Sequence, residues 1–540
     1  MNKKRFLPYL AIVASLVVGC NNQESKEKQE DLKNPLLTAY ETPFEVPPFD
    51  QIKDEHFRPA FKEALSVHNA EVDSILNNAE EASFENTILA LENAGQLLNR
   101  VSTVFYNLNS ANTNDTIQAI AKDMAPVMSA HSDEISLNPK LFDRVKAVYA
   151  KKAELGLDAE DQKLLEETYK DFVRSGANLK EADKEKLKKI NADLSVLTTQ
   201  YGQNLLNELN AYELVVDKAE DLAGLPEELK TAAANEAKAK GKEGKWVFTL
   251  QNPSIMPFLQ YADNRELRKQ IWEAYQMRGN NGNDQDNKET LVKIANLRLE
   301  KAKLLGYSSH AAYVLEESMA ENPTNVNNLL NKLWAPALAK AKTEAADIQK
   351  EIAAAKDTFT VAPYDWRYYQ EKIRKARYAL NEEEIKPYFS LPAVREGAFE
   401  TAKKLWGISF VALNNVPVYH PEVEVYEVRD KDGSHLGLLY ADFFPRESKR
   451  SGAWMTSYRG QSRKDGKRVA PVISIVCNFT KPVGDNPALL TFDEATTLFH
   501  EFGHALHGLF SNVKHRSLAG TSVPRDFVEL PSQIMENWAG

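Results

Sequence analysis

His500-Glu501-Phe502-Gly503-His504 sets two imidazoles four residues apart with a carboxyl group between them, and four of the chain's ten histidines fall between positions 500 and 515. On an α-helix, positions i and i+4 share one face, so both rings can reach a single ion. Zinc takes about four ligands and accepts imidazole nitrogen readily. Glu501 leaves the helix one residue further round, where it can stand beside a metal and hold a water without ligating. The chemistry to expect from this set is metal-assisted hydrolysis. His507 follows His500 by seven residues, roughly 10 Å along a helix axis, which is too far to share the ion. It is expected to line the pocket or to back a ligand. His515 falls in a loop and is set aside.

A catalytic zinc site needs one more protein ligand and an open position. RDFVELPSQIMENW offers Glu529 and Glu536 on a second helix, with Asp526 near its start. Spacing alone does not choose among them. Gln533 and Glu536 share the face of Glu529 at i+4 and i+7, from which they could orient the ligands. A surface or interhelix ion pair is an equal reading of Glu536.

The elements that must position these groups can be read from local patterns. Thr491 is an N-cap candidate, and Asp493 and Glu494 suit the positive end of the helix that follows. Leu498, Phe499, Phe502, Leu506 and Leu509 supply its buried sides. Residues 46–213 repeat apolar positions at three- and four-residue spacing, which predicts an N-terminal helical domain of long helices. From 214 the texture changes, and residues 214–540 are expected to form the catalytic domain. LVVDKAEDLAGLPEELK and GKWVFTLQNPS bring short β-like runs between turn residues, and helical patterns resume at NRELRKQIWEAYQMRG. VEVYEVRD and HLGLLYADFF, joined at Lys431-Asp432-Gly433, predict a hairpin. PVISIVCNF predicts a third strand, and TFDEATTLFHEFGHALHGLF and RDFVELPSQIMENWA predict helices.

With 43% hydrophobic and 27% charged residues in 540, the chain is long enough for two or more domains. The net charge of −10 is spread widely, which argues against a nucleic-acid partner. The basic stretch Lys449, Arg450, Arg459, Arg463, Lys464, Lys467, Arg468 is broken by Gly, Ser and Asp and reads as solvated hairpin loops. MNKKRF followed by LPYLAIVASLVV has the form of a secretory signal, too short to span a bilayer. Val17-Val18-Gly19-Cys20 resembles a bacterial lipobox, in which the cysteine takes the lipid. Residues 1–19 are thus expected to be a lipoprotein signal peptide and 20–45 a disordered tether. Asn21 after the cysteine points to the outer membrane, by resemblance to enteric sorting. Cys477 has no disulfide partner once Cys20 is lipidated, and its apolar surroundings predict a buried thiol.

PVISIVCNFTKPVGDNPALLTFDEATTLFHEFGHALHGLF and AGTSVPRDFVELPSQIMENWA resemble the M3 family of zinc oligopeptidases, the thimet oligopeptidase-like group. The likeness continues upstream through YADFFPRESKRSGAWM, YDWRYYQEKIRKARYALNEEEIKPYFSL and GKWVFTLQNPSIMPFLQYADNRELR. SKRSGAWM, IVCNF and TSVPRDFVELPSQ are most similar to the bacterial peptidyl-dipeptidase, or dipeptidyl carboxypeptidase, branch. The resemblance implies a mainly α, zincin-type peptidase, with a small sheet beside the HExxH helix and a deep substrate channel. It implies one Zn2+ held by His500, His504 and Glu529, with Glu501 as general base. PVISIVCNF matches the strand along which a peptide substrate pairs its backbone. The implied activity is hydrolysis of short peptides, releasing C-terminal dipeptides, by a monomer attached to the cell envelope through Cys20. An M3 endo-oligopeptidase is the nearer alternative, and a non-catalytic zinc- and peptide-binding lipoprotein the more distant one. In the family, a glycine- and tyrosine-rich segment near the C-terminal end stabilises the oxyanion. The sequence reaches Gly540 without one, so a C-terminally incomplete chain with impaired activity is expected.

Overall fold

The computed structural model describes residues 34–379, 382–482, 484 and 487–539. Six long helices open the chain: α1 Phe57–Leu76, α2 Gln96–Ala111, α3 Asp115–Ser136, α4 Pro139–Ala150, α5 Ala159–Arg174 and α6 Glu181–Ala211. Three of them, α3, α4 and α5, start at side-chain caps. Asn114, Asn138 and Asp158 each accept hydrogen bonds from the first-turn N–H groups of the helix they precede. A two-stranded ribbon, β1 Leu214–Val216 with β2 Trp246–Phe248, brackets α7 Glu227–Ala239. Helices α8 Asn252–Tyr261, α9 Arg265–Gln276, α10 Lys288–Leu304, α11 Pro323–Ala354, α12 Trp366–Tyr378 and α13 Leu391–Trp406 follow. The molecule is therefore mainly helical, as the periodicity predicts.

One mixed sheet carries the architecture toward the site. Its strands are β3 Ser409–Ala412, β4 Glu424–Arg429, β5 His435–Asp442, β6 Trp454–Arg459 and, after the hairpin β7 Ser462–Lys464 and β8 Lys467–Val469, β9 Val472–Val476. The order across the sheet is β3-β4-β5-β9-β6. Only β5 and β9 run parallel. The turn between β4 and β5 closes with Gly433 at φ 84°, donating its N–H to Asp430 O, so the hairpin forms where the Asp-Gly signal places it.

Alternation along β5 sorts its side chains onto two cores. Leu439 and Ala441 join a cluster with Phe399, Ile473, Phe499 and Phe502, formed with α13 and α14 Phe492–Leu509. Leu438 and Tyr440 join a second cluster with Phe57, Phe61 and Phe105 of α1 and α2. The sheet is thus buried on both faces. The packing cuts across the expected boundary at 213/214, because the first helices supply half of the sheet's cover.

Two local expectations fail for tertiary reasons. The tether assigned to 20–45 does not hold over residues 34–45. Leu36 is fully buried, Asn34 Nδ2 donates to His56 O at 2.8 Å, and Arg100 donates to Leu36 O at 2.9 Å. Leu36, with Leu37 and Phe44 partly buried beside it, packs into a core to which α1 and α2 supply Phe57, Phe61 and Phe105. Residues 1–33, with the signal and lipobox assignments, lie outside the described residues. The basic stretch 449–468 is not uniformly solvated either. Lys449 is fully buried, with its ammonium donating to Asp442 O, Asp442 Oδ1 and Phe444 O. Arg459 donates to Ala470 O and Phe44 O, and Arg468 to Leu436 O and Leu509 O. Arg450 and the β7–β8 hairpin, with Arg463, Lys464 and Lys467 exposed, match the solvated reading. No described helix is long and apolar enough to cross a membrane.

Candidate active site

Helix α14 begins with a reciprocal cap. Thr491 Oγ1 accepts from Glu494 N at 3.1 Å, and Glu494 Oε2 accepts from Thr491 N at 2.9 Å. Ala495, Leu498, Phe499, Phe502, Leu506 and Leu509 bury the flank that meets the sheet and α13. This leaves Asp493, Thr497, His500 and His504, spaced i, i+4, i+7 and i+11, along another face. Against it lies α15 Glu529–Glu536. The two helices come unusually close at Gly503, where a Cβ would lie 2.6 Å from Ser532 Cα and 2.8 Å from Pro531 O.

This contact brings Glu529 over the two imidazoles. Its Oε2 lies 3.2 Å from His500 Nε2 and 3.1 Å from His504 Nε2. The three ligand atoms fall within 4.8 Å of one another. Ser532 Oγ donates to Glu529 Oε2 at 2.9 Å, and His500 Nδ1 lies 2.7 Å from Glu536 Oε1. The donor set therefore fits a divalent zinc-type cation: two ring nitrogens and one carboxylate oxygen converge, with room left for further ligands at a half-exposed Glu529. Burial lowers the pKa of His504, which favours the neutral ring a metal requires. A second cluster, Glu167, Asp171 and Glu317, contains only carboxylates. Lys170 and Arg174 already neutralise Glu317, so that group is an ordinary ion-pair network.

Glu501 is buried beside this set, with 4% of its surface exposed and Oε2 without a hydrogen-bond partner. Burial pushes its pKa up to about 7, against the pull of His500 and with a further push from Glu529. A carboxyl group so placed can exchange protons near neutral pH. Alongside, the first half of α14 lines a cleft of about 1190 Å³, whose other walls include Met256, Gln260, Arg374 and Asn478. The cleft wall reaches Thr497, one helical turn before His500. The cleft is large enough for several residues of extended chain and stops short of the paired histidines, which do not line it.

The profile of Peptidase family M3 matches residues 258–540. The chain is 42% identical over 507 residues to the dipeptidyl carboxypeptidase of Salmonella typhimurium, spanning 94% of this chain and 74% of that protein. The chain belongs to peptidase family M3. It is accordingly a metallopeptidase. The dipeptidyl carboxypeptidase of Escherichia coli is 41% identical over the same share of both chains. Oligopeptidase A of Salmonella typhimurium is 36% identical over 514 residues, 94% of this chain and 75% of that one.

In this M3 peptidase the residues singled out from sequence separate cleanly. His500, His504 and Glu529 meet, and Glu501 stands beside them. His507 is outside the ligand cluster, half-buried with Nδ1 unpartnered. His515 is held by Asp161 at 2.7 Å, and Asp526 accepts from Met319 N and Ala320 N, so neither faces the site. Gln533 is exposed. One assignment is corrected: PVISIVCNF is not a strand open to substrate. Over Val472–Val476 both of its edges are paired, with β5 on one side and β6 on the other, so its N–H and C=O groups are spent. The strand at the sheet's margin on that side is β6, which carries part of the SGAWM motif. Sequence reading also passed over Gly503, whose only signal was a glycine inside a strong helical pattern.

Proposed function

We propose that this chain is a zinc peptidase that removes dipeptides from the C-terminal end of short peptides. The observation that carries the reading is the convergence of His500 Nε2, His504 Nε2 and Glu529 Oε2 beside the buried Glu501. His500, His504 and Glu529 would hold the ion. When bound, zinc supplies a Lewis acid that acidifies water and polarises the scissile carbonyl. Glu501 takes the proton from the attacking water and hands it to the departing amine. Its carboxyl suits this role because it is buried beside the ligand set with Oε2 free of any hydrogen-bond partner. The cleft along Asp493 and Thr497, one turn from His500, would hold the peptide.

The dipeptide product is supported by the 42% identity to a dipeptidyl carboxypeptidase. Cleavage within longer peptides is the second reading, supported by the 36% identity to oligopeptidase A over a similar span. Mass analysis of the digest of an eight-residue peptide separates the two. Dipeptides released only from the C-terminus, and lost on C-terminal amidation, are expected; internal fragments from the amidated peptide would overturn the exopeptidase reading. Glu501→Gln tests the catalytic role: turnover should fall by about 10²–10⁴-fold with Zn2+ still bound, and unchanged turnover refutes it. For location, Gly19-Cys20 supports a lipid anchor in the bacterial envelope, with the peptidase facing the periplasm. Labelled palmitate should enter the parent and not Cys20→Ala.

A further inference from the structure

His500 and His504 are supported differently behind their rings. His500 Nδ1 is 2.7 Å from Glu536 Oε1, whereas His504 Nδ1 is buried with no hydrogen-bond partner. We infer that Glu536 is a positioning residue for the metal: it accepts the Nδ1–H of His500, holds the ring in the tautomer whose Nε2 lone pair is free, and adds negative charge behind the imidazole. The inference rests on the reading of His500, His504 and Glu529 as metal ligands.

The disposition of α15 supports this role over a surface ion pair. Glu529, Ser532 and Glu536 are spaced i, i+3 and i+7, so one face of one short helix meets α14. Ser532 is fully buried and donates to both the backbone oxygen and the carboxylate of Glu529. The same helix thus supplies a candidate ligand, the hydroxyl that orients it and the carboxylate behind the facing histidine. Among the described residues no lysine or arginine lies within 4 Å of Glu536, and its one ionic contact is His500. A carboxylate serving as a surface ion pair would face a permanent cation instead. The contact also depends on the close approach at Gly503, because retreat of α15 would withdraw Glu536 and Glu529 together. A carboxylate on the remote N–H of a ligating histidine fixes the ring and raises its donor strength.

The test measures metal binding rather than turnover. Zn2+ affinity is read by competition with a chromophoric chelator, and the site's symmetry by the visible spectrum of the Co2+-loaded protein. Glu536→Ala should weaken Zn2+ binding by about 10–100-fold and alter the Co2+ bands, with the far-UV circular dichroism of the metal-free protein unchanged. Glu536→Gln keeps an oxygen acceptor and loses the charge, so its affinity should fall by about fivefold. His500→Ala is run beside them. If it binds Zn2+ like the parent, the ligand reading itself fails. If His500→Ala loses Zn2+ while Glu536→Ala and Glu536→Gln bind within about twofold of the parent, with unchanged Co2+ spectra, the positioning role alone is overturned. Should Glu536→Ala fail to fold, Glu536→Gln decides by the same criterion.

Discussion

Gly503→Ala places a methyl group at the point where the site's two helices touch. The residue lies inside α14 with no left-handed φ, so backbone strain is not the issue. The new carbon would lie 2.6 Å from Ser532 Cα, 2.8 Å from Pro531 O and 3.1 Å from Met535 Cγ. Carbon atoms rest at about 3.5–4.0 Å, so α15 must retreat by roughly 1 Å. The two nearest atoms are backbone, which cannot swing aside. Overpacking of this kind costs about 1–3 kcal/mol, against a helix-propensity gain of about 1 kcal/mol for replacing glycine. The net effect on global stability is therefore modest. The effect on the site is larger, because α15 carries Glu529, whose Oε2 must stay near both imidazoles. A 1 Å displacement of a positioned group costs about 10²-fold in rate. Gly503→Ala should thus lower kcat/KM by about 100-fold and weaken Zn2+ binding, while thermal unfolding of the metal-free protein moves by only a few degrees. Gly508→Ala is the control. Its Cβ would meet the tips of Ile473 and Met455, which can rotate, and it should cost far less activity. Gly503→Ala retaining parental kcat/KM and Zn2+ affinity would refute the close-approach argument.

Asp442→Asn removes the carboxylate that Lys449 and Arg446 share in the interior, and should cost about 3–5 kcal/mol in urea unfolding. Burial alone would raise the Asp442 pKa; Arg446 and Lys449 outweigh it and leave the carboxyl below its ordinary value. A depressed folded-state pKa contributes stability that is present above the unfolded value near 4 and is lost as pH falls through the folded value. The acid limb of the parent's stability curve should therefore be steeper than that of Asp442→Asn, and identical limbs would contradict this. Thr491→Ala takes away the cap of α14 and should lower stability by about 1 kcal/mol, read as a shift of the thermal midpoint. Zn2+ at about 100 times its dissociation constant should raise unfolding stability by about 2.7 kcal/mol in the parent and not in His504→Ala. Equal shifts in both proteins would mean that the ion binds elsewhere.

Much of the site was legible because its information is local. The pair His500 and His504, with Glu501 beside them, follows from helical periodicity, and the cap Thr491 and the turn at Gly433 follow from short-range hydrogen bonding. The choice among Glu529, Glu536 and Asp526 was not legible from spacing. It depends on how α15 leans on α14, and that contact is set by a missing side chain at Gly503. Spacing likewise could not assign Glu536, which meets His500 only because the same contact brings the helices together. Nor could local pattern say that both edges of Val472–Val476 are occupied, since strand order is a property of the whole sheet. Lys449 read as solvated and is buried, because Asp442 and a backbone carbonyl wait for it in an interior closed by distant helices. The sequence by itself determined that His500, Glu501 and His504 share one helix, and its resemblance to family M3 pointed to Glu529. Only the tertiary structure shows Glu529 against both imidazoles and Glu536 behind His500, because those contacts are made between segments that local periodicity cannot relate.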